Sequence, residues 1–176
     1  MKKIITVFLL ALLTAASFWS CEKDDICAEG TVTTPSLIIE FYNRDNHTDP
    51  KNVTYFSYFS ADLDTIGTIN GTNHIEVPLR TDTTATTWNF RLGSSQLGEI
   101  TYNTDVITFN YETKELFVSR ACGFKSNFTL NLQNGTAPDP LVIEDSEDEE
   151  GFWIQEYTIE ESNIENEDEV HVKIYF

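Results

Sequence analysis

Apolar and polar residues alternate along most of the chain beyond residue 36, which is the pattern of half-buried β-strands. Ile107, Phe109 and Tyr111 are each followed by a polar residue, and residues 169–176 carry four apolar side chains at alternate positions. No segment after residue 21 shows the 3.6-residue period of an amphipathic helix. We therefore expect an all-β chain.

Polar turns divide this pattern into short segments, whose spacing of about 8–12 residues predicts roughly nine strands. Residues 43–52 and 136–151 are polar or acidic and are predicted to be loops. The clearest predicted strands lie at residues 37–42, 53–61, 86–92, 99–103, 106–112, 115–120, 124–133, 152–159 and 169–176.

The strongest local turn signal is Asn70-Gly71, the preferred pair for the type I′ turn of a β-hairpin, which needs a positive φ at both central residues. The flanking segments, residues 65–69 and 72–79, are rich in Thr and Ile. We therefore predict a hairpin over residues 65–79. Pro78 lacks a backbone N–H and indicates an edge position.

Short alternating strands without helices favour an antiparallel β-sandwich, immunoglobulin-like, with a small β-barrel as the alternative. The 12 Phe, seven Tyr and three Trp supply enough apolar volume for a core. We predict a single domain at residues 36–176, with an acidic loop at residues 139–151.

The first residues have the layout of a secretory signal: Lys2 and Lys3 precede about ten apolar residues, too few to span a bilayer. Ser20 and Cys21 follow, as in a bacterial lipoprotein signal. Because several acyl chains anchor a protein stably, we predict a signal peptide at residues 1–20, lipidation of Cys21 and a lipidated tether at residues 21–35. The alternative is an ordinary signal peptide cut nearby, with Cys21 left as a thiol.

The residues after Cys21, Glu22-Lys23-Asp24-Asp25, resemble the lysine–acid signal that sends lipoproteins to the cell surface in the Bacteroidota. We therefore expect an outer-membrane lipoprotein that is exposed on the cell surface, with the periplasmic face as the alternative. The lipid is then the predicted link to the membrane.

The chain is strongly acidic, with 11 Lys and Arg against 29 Asp and Glu and a formal net charge of −18. Nucleic-acid binding depends on basic patches, so we expect no nucleic-acid partner. The same charge argues against electrostatic docking on anionic lipid head groups.

Cys27 and Cys122 are the cysteines that remain besides Cys21. In the oxidising compartment of an exported protein such a pair can form a disulfide. It would close a loop of about 100 residues, which the chain-entropy model credits with roughly 4–5 kcal/mol. The alternative is a buried thiol at Cys122 and an exposed thiol at Cys27.

Four sequence blocks carry a family resemblance. They are Cys-Glu-Lys-Asp-Asp-Ile-Cys at residues 21–27, Thr-Pro-Ser-Leu-Ile-Ile-Glu-Phe-Tyr at 34–42, Pro-Leu-Arg-Thr-Asp at 78–82 and Ser-Arg-Ala-Cys-Gly-Phe at 119–124. Together they resemble an uncharacterised family of short Bacteroidota lipoproteins.

The resemblance implies that Cys27 pairs with Cys122 and that the acidic segment at residues 144–150 is an insertion. It implies a location and a fold class and no activity, because the family has no established activity.

The histidines give no catalytic motif. His47, His74 and His171 are isolated in sequence, with His74 and His171 at strand positions that are expected to face solvent. We predict no enzyme activity, with a hydrolase as the minor alternative. The acidic run at residues 144–150 is expected to be a hydrated loop, and we expect no metal site and no cofactor.

Two kinds of surface site are open. Thr65 and Thr83 follow aspartates in short motifs that resemble O-glycosylation acceptors of exported Bacteroidota proteins. Trp88, Trp153 and Tyr55 are candidate platforms for stacking on sugar rings, with core packing as the alternative.

The sequence thus predicts a lipid-anchored envelope protein that acts as a non-catalytic binding or structural module, with an unidentified protein or glycan partner. The alternative is a carbohydrate-binding accessory of a surface uptake system.

Overall fold

The computed structural model describes residues 26–31, 33–60, 68–131, 135, 137–146 and 151–176. Within these residues the chain forms eleven strands and no helix. The strands are β1 (Leu37–Asn43), β2 (Asn46–Pro50), β3 (Ser57–Phe59), β4 (His74–Val77), β5 (Ala85–Gln96), β6 (Glu99–Ser119), β7 (Gly123–Leu130), β8 (Leu141–Asp145), β9 (Glu156–Ile159), β10 (Asn163–Ile164) and β11 (Val172–Tyr175).

The first sheet contains β1, β2, β4, β9 and β11 and is organised around β1. This strand pairs in parallel with β11, where Ile39 lies opposite Val172, and antiparallel with β4 and then β2. β9 pairs antiparallel with β11. Leu37, Ile38 and Ile39 are all buried, as expected for a central strand that begins with a continuous apolar run.

The second sheet contains β3, β5, β6, β7, β8 and β10 and is organised around the 21-residue β6. Every residue of β5 pairs antiparallel with β6, from Gln96 opposite Glu99 to Ala85 opposite Asn110. β8 also pairs antiparallel with β6, over residues 105–109 of β6. The central strand thus gains partners that the spacing of its apolar residues does not reveal.

An aromatic core lies between the two sheets. Phe41 of β1 packs against Phe56 at 5.5 Å between ring centroids, and Phe56 packs edge-to-face against Phe90 of β5 at 5.4 Å. Each aromatic pair in this distance range is worth about 0.5–1.5 kcal/mol beyond its buried area. Within the described residues the two sheets do not close into a barrel, so the predicted all-β sandwich is confirmed, with eleven described strands in place of roughly nine.

The prediction of separate strands at residues 99–103, 106–112 and 115–120 is wrong. The three segments form one strand, β6, because the intervening residues stay extended, and residues 99–110 of β6 pair with β5 without a break. Thr104 lies opposite Arg91, and Asp105 lies opposite Phe90. Polar residues at this point are therefore part of the sheet and do not mark a turn.

The predicted hairpin at residues 65–79 is also wrong in its described part, since residues 61–67 lie outside the described residues. Thr72 bridges to Val53, and β4 pairs with β1. Gly71 has a φ of 72°, but Asn70 does not have the positive φ that a type I′ turn requires. The Asn70 side chain instead accepts a hydrogen bond from the Tyr55 N–H.

Two predicted loops contain strands. β2 lies within residues 43–52 and is exposed at every position, so it has no apolar pattern from which to predict it. β8 lies within residues 136–151, where Leu141 is buried and Ile143 packs against the core. β10 was not predicted, because its two residues are too few to show alternation.

The described residues belong to two compact units. The larger comprises residues 32–116 and 125–176 and holds the aromatic core; the smaller, called here the small unit, comprises residues 1–31 and 117–124. The described part of the small unit is residues 26–31 and 117–124.

A carboxyl group lies in the core of the larger unit. Asp105 of β6 is fully buried, and its Oδ2 accepts a hydrogen bond from the Ile154 N–H at 2.8 Å. Its Oδ1 has no hydrogen-bond partner among the described residues. Burial raises the pKa of Asp105 to about 6, although the hydrogen bond from Ile154 opposes the rise. Asp105 therefore holds the segment before β9 through a hydrogen bond. Burial of its ionised form lowers the stability of the folded chain.

We expect Asp105→Asn to alter the pH dependence of stability. The folded-state pKa of about 6 exceeds the usual aspartate value, so the folded chain binds the proton more tightly than the unfolded chain. This stabilisation is fully present below about pH 4 and is lost as the pH rises through about 6. The free energy of unfolding of the wild type relative to Asp105→Asn should fall by about 2 kcal/mol between pH 4 and pH 7, measured by urea denaturation.

Asp168→Asn is the matched control, because Asp168 is exposed. Its difference from the wild type should stay flat over the same pH range. A flat difference for Asp105→Asn as well would contradict the proposed charge burial.

Candidate functional site

The small unit is closed by a disulfide. Cys27 is bonded to Cys122, with 4.8 Å between their Cα atoms, which confirms the predicted pairing. Nearby, the Cys122 N–H donates to Ser119 Oγ at 3.0 Å, and the Thr31 hydroxyl donates to the Ala28 carbonyl at 2.7 Å. The segment that follows Cys21 in sequence is thus covalently fastened to the turn between β6 and β7.

A shallow cavity of about 440 Å³ adjoins this disulfide. Its walls include Ile26, Ala28, Val118 and Ala121, with Arg120 as the charged residue among those that line it. Four of its eight lining residues are aliphatic, so part of the cavity is suited to apolar contact.

A second surface lies on the outer side of the six-stranded sheet. Phe90 and Leu92 of β5 pack in or against the core, and Arg91 between them takes the opposite face. The Arg91 guanidinium carbon lies 4.8 Å from the centroid of the Tyr102 ring and 5.5 Å from that of Phe59. These are cation–π distances, so two rings hold the guanidinium in place.

A glycine brings a second tyrosine to this surface. A Cβ placed on Gly93 would come within 2.5 Å of the Tyr55 Cβ and 3.0 Å of the Tyr102 ring. Only glycine at position 93 therefore leaves room for Tyr55 and Tyr102 to lie so close to the backbone of β5. Tyr55 itself adopts a left-handed φ of 49°, which is unusual for a tyrosine.

We call this surface the Arg91 face; it consists of Tyr55, Ser57, Phe59, Arg91 and Tyr102. The Arg91 Nε–H donates to Ser57 Oγ at 3.2 Å, which restrains the arginine from a third side. Tyr102 is 41% exposed, and Tyr55 is half-buried. An aromatic ring can stack on the apolar face of a ligand ring. The planar, charged arginine beside it can donate hydrogen bonds to a hydroxyl or carboxylate oxygen of that ligand.

The two tryptophans proposed as sugar platforms are core residues. Trp88 is 1% exposed and Trp153 is 8% exposed. Their indole N–H groups donate to the backbone carbonyls of Pro78 and Phe90, at 3.2 and 3.0 Å. A buried ring cannot stack on a ligand at the surface, so the platform prediction is wrong for both and is kept only for Tyr55.

The histidines occupy three different environments. His171 is buried, contrary to the prediction, and its Nδ1 accepts a hydrogen bond from the Ile38 N–H at 2.9 Å. Burial lowers the pKa of His171, which suits a neutral ring that accepts a hydrogen bond. His74 is exposed as expected, and His47 stacks on Tyr175 at 4.1 Å.

Among the described residues, no group of three or more His, Cys, Asp or Glu side chains is arranged to hold a metal ion. Residues 147–150 of the acidic run are outside the described residues, whereas Glu144 and Asp145 belong to β8. No helix in the described part of the chain is long and apolar enough to cross a bilayer.

The structure describes one of the two proposed glycosylation residues. Thr65 lies outside the described residues. Thr83 is exposed, and its hydroxyl donates to the Ala85 carbonyl at 2.7 Å. Modification of either residue stays a prediction.

The sequence interpretation missed Arg91, Gly93, Tyr102 and Asp105. Arg91 was detectable in part, because it lies between two core residues of a predicted strand and so had to face outward. The pairing of Gly93 with Tyr102 depends on the register between β5 and β6, for which the sequence offers no direct signal.

Comparison with known proteins identifies a family. A family profile described as a family of unknown function (DUF6452) matches residues 53–176. No curated protein and no solved structure matches the chain. The matched range includes the Arg91 face and Cys122. The chain therefore belongs to the DUF6452 family, whose function is unknown.

Proposed function

We propose that the protein is a lipid-anchored protein of the outer membrane, exposed on the cell surface, whose β-sandwich is a non-catalytic binding or structural module. The observation that carries this proposal is the disulfide between Cys27 and Cys122. Disulfides persist in oxidising compartments, which supports an exported protein. The lipoprotein-like residues before Cys21 supply the second support.

The disulfide also supports a mechanical role for the tether. Only five residues separate Cys21 from Cys27, so a fully extended chain places their Cα atoms at most about 20 Å apart. A lipid on Cys21 would therefore hold the small unit close to the bilayer. The covalent bond to Cys122 keeps the end of the tether attached to the turn between β6 and β7.

We expect Cys21→Ser to abolish lipidation. In a Bacteroidota host, the wild-type protein should incorporate labelled palmitate and partition into the detergent phase, and Cys21→Ser should do neither. The double variant Cys27→Ser/Cys122→Ser is the matched control, because it removes two thiols and leaves Cys21 in place. Absence of label from the wild type, or its retention in Cys21→Ser, would contradict the anchor.

Surface exposure is tested on intact cells. We expect added protease to remove the wild-type protein without permeabilisation, while a periplasmic protein in the same cells stays intact. Cleavage that occurs only after the outer membrane is opened would assign the protein to the periplasmic face.

Carbohydrate binding is the second candidate function, and the Arg91 face favours it. An exposed ring and a restrained guanidinium lie within 4.8 Å of each other there. Sugars present apolar C–H faces that stack on aromatic rings, while their hydroxyl and carboxylate groups accept hydrogen bonds from Arg. In this proposal the sugar binds at the Arg91 face and not at Trp88 or Trp153.

We expect Tyr102→Ala to weaken polysaccharide binding by about tenfold, which corresponds to about 1.4 kcal/mol. The measurement is a polysaccharide array followed by calorimetry on any glycan that the wild type binds. Phe152→Ala is the control, because Phe152 is an exposed aromatic residue outside the Arg91 face. An equal loss in both variants, or no binding by the wild type, would refute this function.

A further inference from the structure

Three large apolar side chains of the small unit are exposed. Ile26 is 83% exposed, Phe117 62% and Phe124 66%. We call these three residues the apolar tip. Single exposed apolar residues are common on protein surfaces, but this group lies within a unit of few described residues.

The two phenylalanines of the tip contact each other, and a disulfide holds Ile26 to the same turn. The rings of Phe117 and Phe124 meet edge-to-face across the turn between β6 and β7, with 5.4 Å between their centroids. Ile26 precedes Cys27, whose disulfide to Cys122 brings it to the same turn, and it lines the cavity that Val118 and Cys122 also line. The phenylalanine pair and Ile26 are therefore each fixed to the same turn, the pair through β6 and β7 and Ile26 through the disulfide.

We propose that the apolar tip inserts into the boundary between head groups and acyl chains of the membrane that carries the Cys21 anchor. This inference rests on the proposed lipid anchor. The tether limits the distance between Cys21 and Cys27 to about 20 Å, so the anchor keeps the tip at a high effective concentration beside the bilayer. Phe and other large apolar side chains are the residues that bury at this depth.

Charge supports insertion of the tip in preference to electrostatic adsorption. The chain has a formal net charge of −18, so attraction to anionic lipids does not draw it to a membrane. Arg120 lies in the turn between Phe117 and Phe124 and helps to line the cavity beside the disulfide. An arginine at this position can bind a lipid phosphate while the apolar side chains enter the bilayer.

The size of the tip favours lipid over a protein partner. A phenylalanine buries about 150–250 Å², so two partly exposed phenylalanines and one isoleucine offer roughly 500 Å² at most. A stable protein interface needs about 800 Å² on each partner. A bilayer has no such threshold here, because the lipid on Cys21 already supplies the main attachment.

The test uses the full lipidated protein in phosphatidylethanolamine/phosphatidylcholine vesicles, with or without brominated acyl chains. Phe117→Trp and Phe124→Trp place a fluorophore on the tip, and Phe152→Trp is the matched control outside the small unit. The buried Trp88 and Trp153 give a background that is measured on the wild type and subtracted. We expect brominated lipid to reduce the tip fluorescence at least twofold and to leave the control unchanged.

Flotation of the vesicles separates failure of the anchor from failure of the insertion. Protein that floats and shows quenching at the tip supports the inference. Protein that floats without quenching overturns the insertion and leaves the anchor standing, whereas protein that does not float overturns both. Tip emission that shifts to the blue with protein concentration and ignores brominated lipid would show that a second copy covers the tip, which also overturns the inference.

Discussion

Packing of aromatic rings between the two sheets is the constraint on which the larger unit depends. Phe90 of β5 lies near its centre and contacts Phe56, Tyr58 and Phe109, with centroid distances of 5.4 to 6.5 Å. Its backbone carbonyl also accepts the Trp153 indole N–H. Its ring thus packs on Phe56, which in turn packs on Phe41 of β1 in the first sheet, and its backbone holds the segment before β9.

The Arg91 face is a direct consequence of this packing. Alternation along β5 points Phe90 and Leu92 toward the core and Arg91 away from it, so burial on one face determines what the other face presents. The register with β6 then places Tyr102 opposite Gly93. The candidate sugar-binding surface and the core are therefore two sides of the same pair of strands.

The small unit is stabilised by a different means. Its described residues form no core cluster comparable to that of the larger unit, and a disulfide joins their two segments. Three of its apolar side chains stay exposed, and one of them, Ile26, lies five positions after the proposed lipidation residue Cys21. A covalent link can hold such a unit together without burying these side chains, which leaves them available for contact with a membrane.

The sequence by itself determined the class of fold, because alternation in segments such as 106–112 is a local property of the chain. Resemblance to a lipoprotein family also indicated the pairing of Cys27 with Cys122, which the structure contains. The tertiary structure decided the rest. Three predicted strands form the single strand β6, and Thr72 pairs with Val53 where a local hairpin was expected. Trp88 and Trp153 are buried where exposed platforms were expected. Register, strand order and side-chain burial depend on partners distant in sequence, so they follow from packing and not from local pattern.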